Sequence, residues 1–182
     1  MPSAETRNVG ARVEGSTAEG YAAVFNQWTA IAGMFRERVA PGAFAESLRS
    51  DDVLALWNHD WDRPLGRTSA GTLRVREDRR GLWFSLDLDG NNPDALRAIS
   101  TVGRGDITGM SFGFKVTAES WADPGHGLPE RTIEKADLFE ISLCPAPAYG
   151  QTTVALTRAE GNRIAAARRR AEAAMRLRGI AP

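Results

Sequence analysis

The chain has 182 residues, 42% apolar and 25% charged, with a formal net charge of zero. That is the composition of a globular protein with one sizeable core, and no apolar run reaches the roughly 20 residues of a membrane-spanning helix. A single cysteine, Cys144, excludes an internal disulfide, and the N-terminus carries no signal-peptide core, so a reducing cytoplasm is the expected setting.

Residues 1–19 are polar and without period, and are expected to form a frayed leader. A first strand is expected over 21–25, then a loop over 26–33 and a short strand over 35–39. Ala40-Pro41-Gly42 breaks that strand and opens a short helix over 43–48, because a proline near a helix start removes an N–H that had no partner anyway. The continuous apolar run 53–57 reads as a buried strand with Asn58-His59-Asp60 at its end. Pro64 and Gly66 then turn the chain. Residues 72–77 and 82–88 alternate in polarity about a turn at 78–81, which predicts a β-hairpin with Leu73 and Val75 inward. Asn92-Pro93-Asp94 is a strong helix start, combining an N-cap, a proline at the first position and an acid in the first turn. Leu96, Ile99 and Val102 mark the expected apolar face, and Gly103 ends the helix.

Next comes Gly109-Met110-Ser111-Phe112-Gly113-Phe114. As a strand it sends Met110, Phe112 and Phe114 to a core and Ser111 to the other face beside a glycine, leaving the serine sterically open. Residues 121–130 are rich in proline and glycine and read as an exposed connection. A strand over 133–144 stops at Pro145 and Pro147, and Val154 and Leu156 can add a last short one. Residues 162–177 are helical by propensity, with a stripe (Ile164, Ala167, Ala171, Met175) that buries little area. The segment 157–182 holds seven arginines against Glu160 and Glu172, a net +5, so the other 156 residues carry −5. An acidic body with a basic arm gives the arm a separate job. The sum is seven or eight strands and few helices: mostly antiparallel β, as a barrel or a heavily twisted sheet.

A neutral serine needs a base to take its proton, and histidine is the usual one. The chain has two. His59 sits where a buried strand ends, so the core can hold its backbone; His126 lies between glycines in a loop. His59 can equally be a surface turn residue. The orienting acid must reach the other ring nitrogen. Asp60 is adjacent to His59 and points away, whereas Glu140 lies in Leu138-Phe139-Glu140-Ile141-Ser142 between Leu138 and Ser142. A carboxylate in such apolar company needs a partner, either His59 or an arginine. Lys115 is about 13 Å along the strand from Ser111, too far for a Ser–Lys dyad. Cys144 precedes a proline in an apolar run and reads as a small hydrophobe. Spaced zinc ligands and phosphate-binding glycine loops are absent, so neither a metal nor a cofactor is expected.

The segments FRERVAPGAF (35–44), LALWNHDWDRPLGRT (54–68), ITGMSFGF (107–114) and LFEISLCPAPAYGQTTV (138–154), with the Gly81-Leu82 hairpin, together resemble the prohead maturation proteases of tailed bacteriophages and prophages. The resemblance covers residues 20–156, which makes that stretch a serine protease domain between the leader and the basic arm. It implies an α+β fold, mainly β: an antiparallel barrel flanked by helices, similar to the herpesvirus assembly protease, plus a C-terminal helix. It implies Ser111 as nucleophile, His59 as base and Glu140 as the third member, where the herpesvirus enzymes use a second histidine; a triad completed by His126 is the rival. The implied activity is that of a serine endopeptidase. Its implied substrates are the major capsid protein precursor and a scaffolding segment, cut inside the immature capsid in the bacterial cytoplasm, with self-cleavage. No membrane and no specific nucleic acid are implied as partners, and self-association is left open. A catalytically inactive assembly factor on the same fold is the alternative. Oxyanion donors are not assigned; backbone N–H groups after the serine strand, or Arg67, are the two options.

Overall fold

The structure, a computed structural model, describes residues 12–14 and 17–145. Ten strands and two helices lie in this range: β1 (Arg12–Glu14), β2 (Thr17–Val24), β3 (Thr29–Ile31), β4 (Phe35–Val39), α1 (Ser47–Ser50), β5 (Leu54–Trp57), β6 (Asp60–Arg67), β7 (Leu73–Glu77), β8 (Gly81–Asp87), α2 (Pro93–Gly103), β9 (Gly109–Ala122) and β10 (Glu130–Cys144). The expected strand near 154–156 and the C-terminal helix lie outside the described residues.

The strands form two sheets. One is β1-β2-β8-β7, antiparallel throughout. The other is organised on β10, which pairs antiparallel with β9 along nearly its whole length. Its opposite edge is shared by two parallel strands, β4 against Glu130–Ile133 and β5 against Glu140–Leu143. The segment from Ala40 to Ser47 fills the gap between them. Ala40 N donates to Ile133 O, Ala136 N to Ala43 O, and Leu138 N to the Ser47 hydroxyl, which itself donates to Asp51. The amides of β10 therefore stay satisfied where no strand reaches them. Pairs β3–β4 and β5–β6 complete the sheet.

Mainly β with few helices is the architecture found, but the expected barrel is not: the two sheets remain separate and share one core. Leu73, Leu82, Phe84 and Leu86 from the smaller sheet share a core with Ala55, Met110, Leu138, Ile141 and Leu143 from the larger, and with Val53 just before β5. The pairings are mostly antiparallel, as expected, with two parallel ones at β10. Other differences are local. Strands β1 and β2 begin within the segment read as a leader, and β3 within the segment read as a loop. Strand β6 runs through Pro64 because it lies at the sheet edge, where a missing N–H costs no ladder bond. Helix α1 is a single turn that starts at Ser47, after turns over 41–46. In α2 the Asn92 side chain accepts from Asp94 N at 2.9 Å, as the cap predicts. Its buried residues, however, are Ala95, Ala98 and Val102, while Leu96 is 52% exposed.

Phe44 is fully buried and lies edge-on to Phe112 and Phe114, with ring centroids 5.8 and 6.4 Å away. It pins the 40–47 segment to the core side of β9. Phe44→Ala should cost about 3–5 kcal/mol of unfolding free energy in a urea titration. A loss below about 1 kcal/mol would show that this segment contributes little to the core.

Candidate active site

Two registers place the site. Across the β9–β10 ladder Ser111 is opposite Ser142 and Gly113 is opposite Glu140, so all four lie on one face. Met110, Phe112 and Phe114 face the other way, opposite Leu143, Ile141 and Leu138. The expected face of Glu140 needs one correction. The register slips between Leu138 and Glu140, with Phe139 the extra residue, and this β-bulge sends Leu138 to the core with Phe114. A bulge re-aims the side chains that follow it, and here the re-aimed side chain is a carboxylate.

His59 comes from the turn joining β5 to β6. Trp57 and Asp60 pair, and both residues between them are left-handed, Asn58 at φ 51° and His59 at φ 59°. This is a two-residue hairpin turn of the type that favours Asn-Gly. A histidine in the glycine position carries local strain of order 1 kcal/mol. The turn is tied down by Asn58 N donating to Leu143 O at 2.9 Å and His59 N donating to Ser142 Oγ at 3.1 Å.

These ties bring the ring onto the acid. His59 Nδ1 lies 2.7 Å from Glu140 Oε1, and the Ser142 hydroxyl donates to Glu140 Oε2 at 2.6 Å. The Glu140 side chain is only 4% exposed and that of His59 is 23% exposed. The buried acid is thus partnered by His59 and a serine, and the arginine alternative is not what is found. With the carboxylate as acceptor, the tautomer protonated at Nδ1 leaves Nε2 as the basic ring atom. Asp60 turns away and accepts from Asp62 N.

Ser111 lies diagonally across the ladder from Glu140, a separation of about 7–8 Å in antiparallel pairs. It is 6% exposed rather than open, so the expectation of an accessible serine is corrected. The neighbouring glycine has a different purpose from the one expected. A Cβ on Gly113 would stand 2.5 Å from Glu140 Oε1. Its absence makes room for the carboxylate rather than for the serine. Ser142 entered the sequence reading only as a neighbour of Glu140; its signal was the two-residue spacing that puts both on one face.

The remaining sequence candidates fall elsewhere. His126 is exposed in the connection beyond Ala122, roughly 35 Å along β9 from Ser111. Arg67 is bound to Asp52, whose carboxylate also accepts from Thr68 and Ser69 and is held well below the usual carboxylate range, chiefly by that guanidinium. Cys144 is buried, and desolvation, with the charge of Glu140 adding to it, pushes its thiol up to about 11. Among the described residues no cluster of three or more His, Cys, Asp or Glu is placed to hold a metal ion. No described helix is long and apolar enough to cross a membrane.

Gly113→Ala should lower stability, because the new Cβ pushes on a buried carboxylate held by two hydrogen bonds. It should displace Glu140 from His59, visible as loss of the Nδ1 hydrogen-bonded proton signal in NMR spectra. Retention of that signal would show that the carboxylate has room to spare. Cys144 should resist alkylation by iodoacetamide at pH 8 in the native protein and react only on unfolding; rapid native labelling would contradict its buried, protonated state.

No solved structure matches the chain. The prohead protease of Enterobacteria phage HK97 is 30% identical over 140 residues, which is 75% of this chain and 58% of that relative, so the chain spans well under two thirds of the relative's length. A family profile described as caudovirus prohead serine protease matches residues 3–166. That match takes in Ser111, His59 and Glu140 together with both sheets, and the chain belongs to the caudovirus prohead serine protease family.

Proposed function

We propose that the chain is a serine endopeptidase that processes the major capsid protein precursor and its scaffolding segment during prohead maturation, inside the immature capsid. Ser111 is the nucleophile, His59 the general base and Glu140 the orienting acid. The observation that carries this is the 2.7 Å His59–Glu140 contact, made through Nδ1 on the sheet face that holds Ser111. Family membership and the printed name of the HK97 relative support the substrate class.

In this reading His59 Nε2 takes the hydroxyl proton of Ser111 as its oxygen attacks the scissile carbonyl. The imidazolium so formed is stabilised by Glu140 and returns the proton to the leaving amine. Burial of the carboxylate strengthens that stabilisation, since little water screens it. The same chemistry acting on the chain itself gives self-cleavage.

The test is co-expression with a capsid protein precursor, with products read by mass spectrometry. The wild-type chain should shorten the precursor, whereas Ser111→Ala and His59→Ala should leave it whole. The double variant should lose little more than either single one, since members of one catalytic unit are not additive. Glu140→Gln keeps the shape and removes the charge, and should lower kcat on the order of 10⁴-fold. His126→Ala should stay close to wild type. A crippled His126→Ala beside a folded, active Glu140→Gln would reverse the assignment of the third member. An intact precursor with the wild-type chain would favour the inactive assembly factor.

A further inference from the structure

Ser142 is completely buried, yet it sits at neither end of the proposed proton path. Its hydroxyl makes two bonds of different kinds. It donates to Glu140 Oε2 at 2.6 Å and accepts the backbone N–H of His59 at 3.1 Å. The other carboxylate oxygen of Glu140 meets the ring of that same histidine at 2.7 Å. The result is a closed circuit: carboxylate, imidazole, His59 main chain, Ser142 hydroxyl and back to the carboxylate.

Such a circuit fixes what a single hydrogen bond cannot. With only the His59 contact, the carboxylate could rotate about its own axis and the ring could follow it. With Oε2 tied to Ser142, rotation of the carboxylate breaks a short hydrogen bond in a water-poor site. With His59 N tied to the same hydroxyl, the strained left-handed residue has its main chain and its ring referenced to one point. Removing the hydroxyl leaves a carboxylate oxygen and a peptide N–H without their partner at once.

We propose that Ser142 is a positioning residue, its hydroxyl locking the turn that carries His59 to the carboxylate that orients the His59 ring. This rests on the Ser111–His59–Glu140 reading above. Ser142 does not touch the substrate; it acts through Glu140 and His59. A serine that merely fills space at this position would be replaceable by any side chain of similar volume.

The experiment compares Ser142→Ala, Ser142→Cys and Ser142→Thr in the full chain. Ser142→Cys keeps the volume but only a weak donor, whereas Ser142→Thr keeps the hydroxyl. Three readouts are taken: thermal midpoint, kcat and KM on a peptide spanning a capsid precursor cleavage site, and the downfield Nδ1 proton resonance of His59, assigned by its loss in His59→Ala. Ser142→Ala and Ser142→Cys should lower kcat on the order of 10- to 100-fold with little change in KM, and weaken or abolish the resonance. Ser142→Thr should recover both. Either folded variant, Ala or Cys, with wild-type kcat and an intact resonance overturns the proposal. So does failure of both to fold, which would make the hydroxyl structural. If the wild-type chain cleaves nothing but the resonance is present and is lost in Ser142→Ala, the protease reading fails and the positioning role stands.

Discussion

A carboxylate taken out of water must have its oxygens hydrogen-bonded, and Glu140 meets that demand with both. Much of the local structure follows from this requirement. The bulge at Phe139 turns Glu140 off the core face, and the missing side chain at Gly113 leaves the volume its carboxylate occupies. The hydroxyl of Ser142 and the ring of His59 then supply the two donors. Each feature is modest by itself. Together they leave the acid one arrangement, and the imidazole with it.

The scaffold beneath is the long β9–β10 ladder, and its far end answers a similar demand with different chemistry. Arg131 is nearly buried in β10, and it binds Glu37 of β4 and Glu119 of β9 beside the ring of Trp121. Burial pushes the carboxyl of Glu37 above its usual range while Arg131 pulls it back. One strand therefore carries a buried arginine satisfied by two carboxylates at one end, and a buried carboxylate satisfied by a ring nitrogen and a hydroxyl at the other. The first clamps three strands together. The second clamps a turn onto a sheet.

Alternation was enough to read much of this from the sequence. It separated Met110, Phe112 and Phe114 from Ser111 and found the β7–β8 hairpin, while the capping residues marked the start of α2. For the acid among apolar neighbours the residues left two partners open, His59 or an arginine, and the ring is the one found. What stayed hidden was whatever depends on partners distant in the chain. A one-residue bulge leaves no mark in hydrophobic period, so Leu138 was placed on the wrong face. Nothing local announces that β4 and β5 share one edge of β10, and an open pair of sheets was read as a barrel. In α2, two small alanines rather than Leu96 face inward, because burial follows the space available and not the apolarity of a residue. Pro64 hid β6, since a proline marks a turn unless the strand is known to lie at an edge.

The turn at Asn58-His59 sets two local demands against each other. Its two left-handed residues are the setting in which asparagine followed by glycine is most comfortable, and the chain places an imidazole there instead. Glycine at position 59 would relieve strain on the order of 1 kcal/mol but leave the buried Glu140 carboxylate without its ring donor, a loss of about 3–5 kcal/mol. It would thereby discard the side chain around which the face of the sheet is arranged. The backbone strain of the turn and the hydrogen bond of its ring are thus set against each other at a single α-carbon, and the hydrogen bond is the larger.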